Sequence, residues 1–166
     1  MRQIRTLIAL LLLGSFCLGQ PRASDGTTVF VVRHAEKIDS SPDPDLSEAG
    51  RRRAVTLSEL LGDAGIAGLY ASQYKRTEQT LRPLADKLGL EIHRVDAAKT
   101  NDLVSQILSR FPGQKVVVAS HSDRVTEIVE ALGGKSVGYL EESEYDKLFI
   151  VTVLGSSKAE VVRLKF

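Results

Sequence analysis

The chain has 166 residues, of which 43% are hydrophobic and 26% are charged, and its formal net charge is +1. This length suits one hydrophobic core, so a single domain is expected. A near-neutral charge supplies no basic field for a polyanion, and no nucleic-acid partner is expected.

The first twenty residues have the pattern of an export signal. Arg2 and Arg5 precede an apolar stretch over residues 7–13, which is too short to span a bilayer comfortably. We therefore expect a signal peptide over residues 1–20 and a periplasmic or secreted protein. The mature domain is expected over residues 25–166, with no stable membrane anchor after signal removal. A buried first helix is the alternative interpretation.

Cys17 is the only cysteine of the chain and lies inside the predicted signal. Removal of the signal therefore excludes a disulfide framework, thiol catalysis and a cysteine zinc site from the mature domain. Attachment of a lipid to Cys17 is disfavoured because the bulky Phe16 directly precedes it.

Apolar runs alternate with helical patterns after the signal, which favours strand–helix–strand units around a largely parallel sheet. The first strand is predicted over residues 28–33. Ser47 is predicted to cap the first helix, and Gly50 on its inward face would allow a close backbone approach to the sheet. The whole inward face comprises Gly50, Ala54, Leu57 and Leu61.

The next elements are a short strand around residues 69–71, a second helix and a strand over residues 90–95. Pro83 lies within the second helix, so we expect a kink there or a new helix beginning near Arg82. Thr100 is predicted to cap the third helix, which Pro112 and Gly113 end. The inward stripes are Leu81, Leu84, Ala85 and Leu88 for the second helix, and Val104, Ile107, Leu108 and Phe111 for the third.

The last part of the chain predicts a buried strand over residues 115–119, a fourth helix and a hairpin of strands over 148–154 and 160–164. The fourth helix carries an apolar stripe of Val125, Ile128, Val129 and Leu132. Together these elements predict an α/β fold, a three-layer αβα sandwich around a mostly parallel central sheet.

Two of the predicted strands end in a histidine. His34 follows Arg33 at the end of the first strand, and His121 follows the apolar run that precedes the fourth helix. The carboxyl ends of parallel strands face a common crevice, where Arg76 also falls after a third strand end. Arginine binds phosphate through a planar fork, and imidazole is a nucleophile or proton carrier near neutral pH. The sequence therefore predicts phosphate chemistry in one cavity.

Four blocks in order resemble signatures of the histidine phosphatase superfamily, the phosphoglycerate-mutase-like enzymes. The blocks are RHAE at 33–36, LSEAG at 46–50, ASQYKRTEQT at 71–80 and VASHS at 118–122. The compact chain is similar to the short single-domain branch of that superfamily. The resemblance implies the same αβα fold.

The resemblance also implies a metal-independent phosphatase that hydrolyses a phosphomonoester or related phosphoryl group. His34 would attack phosphorus and become a transient phosphohistidine. Arg33, Arg76 and a cationic His121 would hold the phosphoryl oxygens, so neither metal nor cofactor is expected. The expected partner is a phosphorylated small molecule or a phosphoprotein.

The sequence leaves the proton donor to the leaving group open. In many relatives an aspartate directly follows the second histidine, but Ser122 occupies that position here. Glu36 and Asp123 are the two candidate acids, and Asp96 is a weaker third.

Two other functions stay open, a non-catalytic module that binds a phosphorylated ligand and, less favoured, a phosphomutase. A mutase must shield its phosphohistidine from water, and the 45 positions from Arg76 to His121 leave little for a covering lid.

His93 is expected to be an ordinary strand residue, and residues 51–53 a solvated basic helix face. A zinc site is disfavoured because no two histidines have close helical spacing.

Overall fold

The computed structural model describes residues 26–155 and 159–166 of the chain. Within these residues lie six strands: β1 (Thr27–Arg33), β2 (Ile66–Ala71), β3 (Ile92–Arg94), β4 (Lys115–Ser120), β5 (Lys147–Val153) and β6 (Ala159–Lys165). The helices are α1 (Glu48–Leu61), α2 (Lys75–Leu88), α3 (Thr100–Arg110) and α4 (Ser122–Ala131). The predicted signal peptide lies outside the described residues. None of the described helices combines the length and apolarity that crossing a membrane requires.

The strands form one sheet in the order β3-β2-β4-β1-β5-β6. The first four are mutually parallel, whereas β5 runs antiparallel to β1 and β6 antiparallel to β5. The mostly parallel sheet and the C-terminal hairpin predicted from the sequence are therefore confirmed.

Helices cover both faces of the sheet and bury one apolar cluster on each. On one face Leu57 of α1 and Leu84 of α2 pack with Val117 of β4. On the other face Ile107 of α3 and Ile128 of α4 share a cluster that includes Val116 and Val118. The unbroken apolar run of β4 follows from this arrangement, because successive residues of a central strand enter opposite cores.

The chain crosses over so that β1 and β4 become neighbours at the centre of the sheet. Their register pairs Arg33 with Ser120, and the His34 N–H donates to the Ser120 carbonyl at 2.8 Å. On the other side of β4, Ala71 of β2 pairs with Ala119. Because α1 follows β1 onto one face and α4 follows β4 onto the other, a crevice opens at these strand ends.

The prediction of a new helix beginning near Arg82 was wrong. Helix α2 is continuous from Lys75 to Leu88 with Pro83 inside it. Two residues of its inward stripe close to Pro83, Leu81 and Leu84, are fully buried. Burial of this stripe outweighs the backbone hydrogen bond that proline cannot donate.

The predictions around β3 and α3 were partly wrong. The third strand spans only Ile92–Arg94, because only three residues of β2 pair with it. Lys99 rather than Thr100 precedes α3 as its cap residue. Leu108 is 36% exposed and does not face the core. Phe111 lies just beyond the helix, where its ring still packs against the cluster.

Candidate active site

The four residues predicted at the strand ends line one cleft of about 490 Å³. Arg33 and His34 come from the end of β1, His121 follows β4, and Arg76 lies in the first turn of α2. The ring centroids of the two histidines are 5.4 Å apart. The structure therefore brings together two imidazoles and two guanidinium groups.

The His34 ring is buried, and its tautomer is set by the main chain. Nδ1 lies 2.8 Å from the carbonyl oxygen of Ala35, to which it donates. In a neutral ring the lone pair is then on Nε2. Burial is the main cause that lowers the pKa of His34 to about 3, and the charge of Arg33 lowers it further. Near neutral pH this ring is unprotonated.

His121 is held between a hydroxyl group and a guanidinium group. Its Nε2 lies 2.9 Å from Ser72 Oγ, and its Nδ1 lies 3.4 Å from an Arg76 nitrogen. Because arginine only donates, Nδ1 is the acceptor and Nε2–H donates to Ser72. Burial and then Arg76 lower the pKa of His121 to about 4. Without a bound anion, His121 is therefore neutral near neutral pH.

Arg33 and Arg76 are fixed by carbonyl groups of two loops. Arg33 is 4% exposed, and it donates to the carbonyl oxygens of Glu141 and Glu142 at 2.8 and 2.9 Å. Arg76 donates to the Pro42 carbonyl at 3.3 Å. Within the described residues, the Nε–H groups of both arginines are buried without an acceptor. Such orphaned donors are costly and need a functional explanation.

Two tyrosines that the sequence analysis missed cover these arginines. The Arg33 Cζ lies 4.3 Å from the ring centroid of Tyr145, and the Arg76 Cζ lies 4.4 Å from that of Tyr74. Tyr74 falls inside the third sequence block, which was a signal that could have found it. Tyr145 lies in an irregular segment before β5 and carries no such signal.

The polar residues of the third block hold the loop that follows β1. Thr80 Oγ1 accepts from the Ala35 N–H at 2.9 Å, and Gln79 Oε1 accepts from the Leu46 N–H at 2.9 Å. Thr77 Oγ1 lies 2.9 Å from Ser72 Oγ, which links it to His121. The block therefore supplies the supports of both histidines in addition to Arg76.

Comparison with known families bears on this arrangement. Residues 29–99 match the model of the histidine phosphatase superfamily (branch 1), and this segment contains the first three of the four blocks. The resemblance to this superfamily that the sequence predicts is therefore confirmed.

One curated relative is Phosphoserine phosphatase 1 from Hydrogenobacter thermophilus. It is 29% identical over an alignment of 138 residues, and the match covers 69% of this chain and 63% of the relative. The chain thus spans about 63% of the length of the curated relative.

Solved structures of phosphatases share the fold. A mycobacterial glucosyl-3-phosphoglycerate phosphatase matches with a TM-score of 0.67 at 15% identity, covering 81% of this chain and 96% of that one. The protein histidine phosphatase SixA, complexed with tungstate, matches with a TM-score of 0.67 at 21% identity, covering 83% and 96%. At these identities the likeness shows a common fold.

Glu36, one of the candidate acids, is engaged elsewhere. Its carboxylate accepts from Arg53 Nε and from the terminal nitrogen Nη2, the latter at 2.7 Å. Burial raises the pKa of Glu36, but the Arg53 hydrogen bonds and charge lower it overall. A carboxylate held ionised cannot donate the leaving-group proton, and we reject Glu36 for that role. Arg53 is likewise a half-buried partner of Glu36 rather than part of a solvated helix face.

The remaining candidate acids, Asp123 and Asp96, both line the cleft. Asp123 lies beside Arg124, with 3.3 Å between Oδ2 and Nε.

His93 does not line the cleft. It is half-buried, and its ring centroid lies 5.2 Å from that of Tyr70. The described residues contain no group of three histidine, cysteine or acidic side chains placed to hold a metal ion.

Proposed function

We propose that this protein is a metal-independent phosphatase that hydrolyses phosphomonoesters or related phosphoryl groups through a phosphohistidine on His34. The observation that carries the proposal is the neutral His34 ring, whose Nδ1–H is committed to Ala35, in a cleft shared with two arginines and His121. A nucleophilic imidazole needs a free ring nitrogen and a phosphoryl group held in front of it.

In the first step the Nε2 lone pair of His34 attacks phosphorus. The N–P bond forms as the bond from phosphorus to the leaving oxygen breaks, and the leaving group takes up a proton. In the second step water attacks the phosphohistidine and gives a proton to the group that had protonated the leaving oxygen. The N–P bond breaks, inorganic phosphate is released and neutral His34 is restored. The covalent intermediate divides one difficult hydrolysis into two easier displacements.

The positive groups of the cleft support the charge of the transferring phosphoryl group. Arg33 and Arg76 present guanidinium donors, and an anion between them would supply the acceptors that their Nε–H groups lack. The first turns of α2 and α4 begin beside Tyr74 and His121, so two helix N-termini add partial positive charge. Preorganised charge of this kind stabilises a phosphoryl-transfer transition state.

His121 has a second task that follows from its low pKa. A phosphoryl dianion beside the ring would favour the protonated form and raise that pKa. We propose that His121 is neutral before the substrate binds and takes up a proton with it. For the leaving-group proton we propose Asp123, which lines the same cleft.

The names of the relatives support a phosphorylated substrate. Their names cover phosphoserine, glucosyl-3-phosphoglycerate and protein histidine phosphatases. We propose a phosphorylated small molecule or a phosphoprotein as the substrate here.

The test is phosphate release from a panel of phosphomonoesters, with and without a chelator, by wild type, His34→Asn and His93→Asn. We expect chelator-insensitive release that His34→Asn lowers by about a thousandfold or more, since covalent catalysis is lost. His93→Asn is the matched control outside the cleft and should retain wild-type rates. Full turnover by His34→Asn would contradict the proposal. Wild-type binding of inorganic phosphate with no release from any substrate would favour a binding module instead.

A further inference from the structure

The two arginines of the cleft share an environment that the chemistry of phosphoryl transfer does not require. Each guanidinium group lies over the face of one tyrosine ring, Arg33 over Tyr145 and Arg76 over Tyr74. Each tyrosine also lies near one histidine ring. Tyr74 makes an edge contact with His121 at 5.1 Å, and Tyr145 is 6.1 Å from His34.

We propose that Tyr74 and Tyr145 are positioning residues that hold the two phosphate-binding guanidinium groups through their aromatic faces. This inference rests on the proposed function, because it assumes that Arg33 and Arg76 bind the phosphoryl group. The tyrosines act on the anion through the arginines, and their hydroxyl groups are not required.

The geometry matches what a guanidinium group needs in order to recognise an oxyanion. Stacking on a ring occupies the face of the planar group and leaves its N–H donors free in the plane. The ring quadrupole attracts the cation most strongly where water is excluded, and Arg33 is 4% exposed. An arginine held in one orientation loses less freedom when the anion binds.

The segment that carries Tyr145 is itself fastened to the sheet. Lys147, the first residue of β5, pairs with Glu144 at 3.2 Å and with Asp146 at 3.7 Å. The same segment supplies the two carbonyl groups that accept from Arg33. Arg33 is therefore held both by two carbonyl oxygens of this segment and by the ring of Tyr145, over which it lies.

The first test compares leucine and phenylalanine variants at both positions. Affinities for inorganic phosphate and tungstate are measured by calorimetry, and kcat and KM with a nitrophenyl ester, for Y74L, Y74F, Y145L, Y145F and the wild type. Loss of either ring should weaken anion binding and kcat/KM about fivefold to thirtyfold, whereas both phenylalanine variants should match wild type. Tyr139→Leu is the control, since Tyr139 lies in the same connecting segment but is 69% exposed.

A second test avoids any dependence on the folding of the leucine variants. Phenylalanine with increasing numbers of fluorine atoms is incorporated at position 145, which weakens the ring quadrupole with little change in ring size. Anion affinity should fall stepwise along the series. Constant affinity along the series, wild-type affinity in both leucine variants, or equal losses in Y145F and Y145L would overturn the inference. A wild-type protein that binds neither anion would instead refute the proposed function.

Discussion

The substitution Gly50→Ala tests whether the contact between α1 and the loop after His34 holds that loop in place. Gly50 is buried in the first turn of α1, whose cap Ser47 accepts from the Gly50 N–H at 3.1 Å. A Cβ at this position would lie 2.3 Å from the Glu36 carbonyl oxygen and 3.0 Å from the Glu36 nitrogen. Both atoms are backbone, so neither can swing aside. The sequence predicted a close approach at Gly50, and the structure shows that its partner is this loop rather than the sheet.

The size of the effect follows from this overlap. Ordinary contact begins at 3.4 Å, so in Gly50→Ala the helix and the loop must separate by about 1 Å. Misplacing a catalytic group by about 1 Å can cost on the order of a hundredfold in rate. Overpacking of this kind costs about 1–3 kcal/mol in stability, which lowers Tm by roughly 3–10 °C.

The assay is kcat/KM on a nitrophenyl phosphate together with thermal unfolding. Gly62→Ala is the matched control at the other end of α1, where φ is −60° and a Cβ would meet only the flexible end of Lys87. We expect the control to keep wild-type activity and Tm while Gly50→Ala loses both. Wild-type activity and Tm in Gly50→Ala would refute the idea that this contact sets the position of His34.

Three further predictions concern the groups around the histidines. Ser72→Ala removes the acceptor of the His121 Nε2–H and should lower kcat/KM about threefold to tenfold. Ser105 is exposed on α3, so the control Ser105→Ala should leave kcat/KM unchanged. Equal kcat/KM values for the two variants would rule out this role of Ser72. Asp123→Asn should slow the hydrolysis of an alkyl phosphate far more than that of a nitrophenyl phosphate, because only the alkoxide leaving group needs a proton. Glu36→Gln should show no such dependence on the leaving group. A loss of alkyl phosphate hydrolysis in Glu36→Gln alone would assign the acid role to Glu36 instead. The free energy of unfolding, measured in urea at several pH values, should fall as the pH drops from about 6.5 towards 4. In that range both histidines become protonated in the unfolded chain. In the folded protein they stay neutral, because the pKa of His34 is about 3 and that of His121 is about 4, so protons favour unfolding. His121→Asn should make this slope shallower, and an unchanged slope would contradict the low pKa of His121.

Much of the fold could be predicted because the strands and helices follow simple patterns. The apolar run before His121 is buried on both faces, and the helix stripes have the spacing that burial requires. Pro83 shows the limit of local rules, since the packing of α2 on the sheet and α1 overrides the helix boundary expected near Arg82. The position of β4 between β1 and β2 depends on the crossover connections, which no local pattern encodes.

The site could be predicted as a set of residues but not as an electrostatic state. Arg33, His34, Arg76 and His121 are each marked by a strand end or a helix start. The neutral state of His121 arises from burial and from Arg76, which depend on tertiary structure. The pairing of Glu36 with Arg53 and the stacking of Arg33 on Tyr145 join segments that are distant in the chain. Residue type and spacing contain no signal for such contacts.

The most direct test of the account is a chemical trap for the phosphorylated histidine. The protein is mixed with a radiolabelled phosphoryl donor, quenched rapidly, and examined for label that is acid-labile and base-stable. Peptide mass spectrometry should then locate the phosphoryl group on His34, and the His34→Asn variant should carry no label. Release of phosphate without any such adduct, or an adduct on a different residue, would contradict the central claim.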